Sequence, residues 1–397
     1  MDTPRFEPSV LKWARETRFG PKIETLEANW SESWTECSAA LVAQWESGPD
    51  QPSFNQIRKL AEIYKRPLAV FFLNAPPDES PNPPDLRTIG SQDNKALSPD
   101  ALLVIRKARR VQDIAAALIE ELGDKPTFKY RQHTLNEDAS NLAERIRRDF
   151  QITAQDQRGA RTYEDFFEAL RAKVETAGVV TLKSGLQDSF PIADCRAFSF
   201  ADRMPYVILV NNKDTEGGKN FSLAHEFGHL LLREPGICNN FRAFSGGRRS
   251  SDVEVFCNEF AASFLVTGRD LFAHRALKGK KSIGANEVDT LAEQVSLDFK
   301  VSRVVILRRF LSFGLISDGL YDSKAKEWSK QELQPRKHGG RFALSTTFKK
   351  NGAAFSSLVV QAYRQNKISF ASASDYLGLK TKHMAGFERI VNAHAAS

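Results

Sequence analysis

The stretch that decides the reading is Phe221-Ser222-Leu223-Ala224-His225-Glu226-Phe227-Gly228-His229-Leu230. A helix completes a turn in 3.6 residues, so His225 and His229, four apart, share one face. Two imidazoles on one face can grip one divalent cation from the same side and leave its far side open. Glu226 follows the first histidine directly. There its carboxylate can take the proton of a water that zinc has acidified to a pKa of about 7. Phe221, Leu223, Ala224, Phe227 and Leu230-Leu231-Leu232 supply the apolar surface of a buried helix, and Gly228 permits close approach on the crowded side. A chain of this length gives roughly 0.01–0.05 His-Glu-x-x-His matches by accident. A metal site is therefore preferred over coincidence.

A catalytic zinc takes three protein ligands and keeps one open position. The third is expected from a helix over 251–266, which offers Asp252, Glu254 and Glu259, with Cys257 as a thiolate rival. The run Val253 to Ala262 is strongly apolar, and a carboxylate there is costly unless paired or ligating. Glu254 shares a face with Asn258, whereas Glu259 falls about 100° away. Glu254 is therefore selected, against the plainer reading of a surface carboxylate. Cys257 is read as a small packing residue. Zn²⁺ is the expected ion, and two histidines with a glutamate also accept Mn²⁺ or Fe²⁺.

Outward from this centre, Val179-Val180-Thr181-Leu182 and Pro205 to Asn211 are short β-branched, apolar runs that predict strands of a small sheet. Helices are predicted over most of 98–178 and again at about 220–233, 251–266, 288–299 and 302–313. Residues 1–75 are also helical in pattern: Ile57, Leu60, Ala61 and Tyr64 recur at helical spacing. Five prolines between Ala75 and Pro84 open a linker over 76–97. From about 320 the chain becomes basic and less patterned. Residues 324–350 carry eight Lys or Arg against two Glu, read as a solvated surface. The expected organisation is 1–75, a linker at 76–97, a catalytic domain at 98–320 and a C-terminal extension at 321–397. The fold class is mainly α with a small sheet, α+β.

No apolar run approaches the roughly 18 residues a membrane span needs, and Met1 to Arg15 lacks the apolar stretch of a secretory signal. Cys37, Cys195, Cys238 and Cys257 form no Cys-x-x-Cys pair, so a reduced, cytoplasmic protein is expected. A net charge of +7 permits nucleic-acid contact without requiring it.

Three stretches together resemble the ImmA/IrrE family of zinc metallopeptidases, of zincin type. They are Arg196-Ala197-Phe198 leading to Val207-Ile208-Leu209-Val210-Asn211, the helix from Phe221 to Leu230, and Glu254-Val255-Phe256-Cys257-Asn258-Glu259-Phe260-Ala261-Ala262-Ser263-Phe264-Leu265-Val266. The resemblance implies His225, His229 and Glu254 as metal ligands and Glu226 as general base. Ala197, where a glycine is usual, and Thr267, where a proline often ends the helix, are departures. The resemblance runs outward over about 8–320. Trp45-Glu46-Ser47-Gly48, Gln51-Pro52-Ser53-Phe54 and Leu60 to Phe72 are similar to the subgroup with an N-terminal Xre-type helix-turn-helix, a five-helix bundle. Pro83 to Arg87 and Ile105 to Arg110 match the same subgroup. It implies a cytoplasmic site-specific endopeptidase that cleaves a repressor or antitoxin in a stress response or a mobile element. The alternative it implies is an antitoxin or transcriptional regulator that binds a toxin, such as a PIN-like ribonuclease, and operator DNA, with little proteolysis.

The expected DNA-reading segment, Ser33 to Leu41, contains no Lys or Arg, and Glu24 to Glu46 holds five Glu and no basic residue. Phosphate contact needs cations, so a protein partner competes with DNA for this face. A homodimer would suit two half-sites. Leu291 to Leu315 also has the sound of a helix-turn-helix and is read instead as packing helices of the catalytic domain.

Overall fold

The computed structural model describes residues 5–23, 26, 38–48, 50–77, 98–185, 190–192, 194–234, 236–238, 248–332 and 344–395. The described residues fall into two compact units, one up to Leu103 and the other from Val104 onward. Most of the linker and residues 33–37 of the expected DNA-reading segment lie outside the described residues. None of the described helices is long and apolar enough to cross a membrane.

The first unit holds α1 (Pro8–Phe19), α2 (Ala39–Ser47), α3 (Phe54–Tyr64) and a 3₁₀ turn (Leu68–Phe72). Each start has a local cause. Proline stands in the first turn of α1, where its missing N–H costs nothing. Ser38 caps α2, and Ser53 with Gln56 forms a reciprocal capping box on α3. Leu11, Ala14, Val42, Trp45, Ile57, Leu60, Tyr64 and Phe71 form the core. Arg15 is buried against Glu46 by two hydrogen bonds of 2.7 and 2.8 Å, which tie α1 to α2. One of the five glutamates counted above is therefore structural.

The second unit begins within α4 (Pro99–Glu121) and continues through α5 (Ala139–Asp149), α6 (Ala154–Gly159) and α7 (Tyr163–Thr176). Then come β1 (Val179–Lys183), β2 (Ala197–Phe200), β3 (Tyr206–Val210), α8 (Glu216–Leu232), β4 (Gly236–Cys238) and α9 (Arg248–Leu265). After the short α10 (Gly268–Phe272), α11 (Val288–Phe299) and α12 (Arg303–Ser312) follow. The sheet order is β1-β3-β2-β4, with β1 parallel to β3 and the other neighbours antiparallel. Strand alternation divides its side chains between two faces. Ala197, Ile208 and Val210 join the core with Leu223, Ala224 and Phe227 of α8. Phe198, Phe200, Val207 and Leu209 point the other way and are also buried, with the Arg109 guanidinium lying 3.7 Å from the Phe200 ring centroid. Both faces of this small sheet are thus covered. Leu291, Val295 and Phe299 of α11, with Val304, Leu307 and Phe310 of α12, enter the same core, so these two helices pack as the sequence predicts.

The C-terminal region departs from its expected lack of pattern. It forms α13 (Asp318–Glu332), α14 (Leu344–Arg364), α15 (Phe370–Leu377) and α16 (Met384–Ala395), all within the second unit. Phe355, Val359, Val360, Leu377, Met384 and Phe387 are buried. Gly352 breaks the helical path of α14 at φ 79°, and an added Cβ would stand 2.6 Å from the Thr181 carbonyl of β1. Only glycine fits that approach. Some of the basic residues are engaged: Lys324 donates to Asp289 at 2.7 Å, and Lys349 reaches Glu164 at 3.5 Å.

Candidate metal centre

α8 begins where Thr215 caps it, its hydroxyl accepting the Gly218 N–H. Just upstream, Asp214 is fully buried and accepts from the Arg196 guanidinium at 2.7 Å. Arg196 immediately precedes β2, so this pair ties the start of α8 to the sheet. Nearly three turns on, the helix presents His225 and His229, both buried, with Nε2 atoms 3.1 Å apart. Glu254 of α9 meets both, each of its oxygens 3.3 Å from one Nε2. Gly228 allows α9 to come this close: a Cβ there would stand 3.2 Å from the Phe260 ring and 3.4 Å from Cys257 Sγ.

These three residues form a candidate metal group, with one ligand atom from each within 4.8 Å of the others. Two imidazole nitrogens and a carboxylate turned to one point suit a divalent cation, which would relieve the close approach of the two nitrogens. Burial alone would raise the Glu254 carboxyl, but hydrogen bonds from His225 and His229 outweigh it and hold it well below the usual carboxylate range.

The other candidates are placed elsewhere. Glu259 turns away and accepts from Arg309 at 2.8 Å and from the Ser140 and Ser263 hydroxyls. Cys257 is buried against His229; burial pushes its thiol up, and its contact with His229 offsets part of that rise. It fills space beside Gly228 and is not in the three-residue group. Thr267, one of the departures from the family pattern, caps α10 by accepting the Asp270 N–H.

Glu226 is fully buried on α8. Its Oε2 accepts a hydrogen bond of 2.7 Å from the Ser199 hydroxyl, while Oε1 has no partner among the described residues. Burial raises its pKa, and His229, His225 and the Ser199 hydroxyl offset part of that rise. Ser199 and the neighbouring Gly236 were not legible in the sequence. The available signal was the alternation Ala197-Phe198-Ser199-Phe200, which puts one hydroxyl on a face that otherwise packs against α8.

A search of curated proteins gives no match. Residues 176–311 match the family model described as IrrE N-terminal-like domain, Peptidase_M78. That span holds the whole sheet, α8, α9 and all four residues of the candidate centre, and so the second unit carries a domain similar to a zincin-like metallopeptidase.

Proposed function

We propose that this chain is a zinc-dependent endopeptidase that cuts a regulatory protein, a repressor or antitoxin, at a defined bond. Glu226 carries the reading: a buried carboxylate with one oxygen held and the other unpartnered, beside a three-donor group that could hold a metal. His225, His229 and Glu254 would hold the ion, which when bound supplies Lewis-acid polarisation of a peptide carbonyl and an acidified water. The unpartnered oxygen of Glu226 accepts a proton as water attacks. A carboxyl raised by burial is the better base for that task. Surfaces away from the centre select the substrate, because binding energy there can position the scissile bond. The buried thiol of Cys257 fits a reducing, cytoplasmic setting.

The test is incubation of the zinc-loaded protein with the product of the adjacent gene. Cleavage that disappears in Glu226→Gln supports the peptidase. A stable complex in which Glu226→Gln still neutralises that partner, with no cleavage by the wild type, overturns it in favour of a binding regulator.

A further inference from the structure

We propose that Ser199 is a positioning residue for Glu226, fixing the carboxylate so that Oε1 stays free to accept a proton; this rests on the metal-centre reading above. Ser199 lies on β2, opposite Ile208 of β3 and Gly236 of β4. Its oxygen accepts the Gly236 N–H at 3.2 Å, and its one proton goes to Glu226 Oε2 at 2.7 Å. A hydroxyl has a single proton to give, so the chain of bonds runs from strand backbone to hydroxyl to carboxylate.

Gly236 completes the arrangement. A Cβ there would stand 2.5 Å from Glu226 Oε2 and 2.6 Å from His229 Cδ2, so β4 lays bare backbone against the carboxylate. The terminal torsion of glutamate is broad, and an unanchored carboxylate would turn within its site. The Ser199 hydroxyl removes that freedom. A buried hydroxyl on the helix-facing side of a strand is costly without a partner, and here one of its partners is the base.

The test uses full-length, zinc-loaded protein titrated calorimetrically with acetohydroxamate, a small chelator whose N-hydroxyl proton needs a neighbouring acceptor. Ser199→Ala is expected to bind it about tenfold more weakly than wild type, as loss of one hydrogen bond to a charged group implies, with zinc content unchanged. Ser199→Thr restores the hydroxyl and the affinity. If Ser199→Ala does not fold, Ser199→Thr and Ser199→Val decide the matter, because they match in size and differ in the hydroxyl. Ala or Val binding as tightly as wild type overturns the inference, and so do Thr and Val weakened alike. Wild type that takes up no zinc overturns the metal-centre reading and the inference with it, whereas wild type that binds zinc but no acetohydroxamate overturns the inference alone.

Discussion

Two of the buried polar clusters among the described residues of the second unit differ in how fully their bonds are made. Where α7, β1 and α14 meet, Arg171 donates to Glu175, to the Thr181 hydroxyl and carbonyl, and to the Lys349 carbonyl. Glu175 in turn accepts from the Thr181 hydroxyl and from the Ala354 N–H. Where α8 meets α9, Glu226 Oε1 has no partner among the described residues, and the two imidazole Nε2 atoms crowd to 3.1 Å beside the Glu254 carboxylate. Buried polar atoms ordinarily find partners because an unmade bond costs about 1–3 kcal/mol. The closed cluster therefore reads as a fastening between the C-terminal helices and the sheet. The open one reads as a centre whose remaining bonds are completed by what it binds.

The contrast predicts opposite responses. Glu226→Gln should lower the cleavage rate by roughly 10²–10⁴-fold, the usual contribution of a general base, while zinc content stays the same. Because burial raises the Glu226 pKa, its charged form costs stability as pH rises above the ordinary carboxyl range. The variant should therefore melt no lower than wild type at neutral pH. Calorimetry beside a cleavage assay checks both; a large loss of melting temperature would place Glu226 with the fastenings.

Arg171→Ala should do the reverse, lowering stability by about 3–5 kcal/mol because it strands the buried Glu175, with zinc uptake intact in the folded fraction. Denaturant titration and metal analysis measure this, and an unchanged midpoint would contradict it. Stripping the metal with a chelator should lower the melting temperature of wild type, since free zinc at 100 times its dissociation constant stabilises by about 2.7 kcal/mol. A Glu254→Ala variant should show no such drop.

The smallest effect concerns Glu164. Burial would raise its carboxyl, but Lys183, with Lys219 and Lys349, brings it down to about 2 from 4.5. A depressed folded-state value means stabilisation that is fully present above about pH 4.5 and is lost as pH falls toward 2. The stability gap between wild type and Glu164→Gln at pH 7 should close across that window; a pH-independent gap would exclude the ion pairs as its source.

Legibility in the sequence followed the range of the interactions. His225, Glu226 and His229 could be read because one helix sets their spacing, and Glu254 because it is a charge in an apolar run. Ser199 and Gly236 could not, because their link to Glu226 is made by pairing across strands 37 residues apart, and β4 is only three residues long. The C-terminal helices were masked by the dense charge of 324–350 and by Gly352, which interrupts α14 just before its apolar positions Phe355, Val359 and Ala362. The expected DNA-reading segment falls largely outside the described residues.

The most direct test of the centre is zinc bound per chain, measured by mass spectrometry of metal and protein on wild type, Glu254→Ala and Glu259→Ala. Glu254 touches both histidines, and Glu259 is committed to Arg309. The predicted result is about one zinc in wild type and in Glu259→Ala and none retained in Glu254→Ala, as expected when one of three protein ligands is removed. Zinc held as tightly by Glu254→Ala as by wild type, or a wild type that takes up none, would contradict the account.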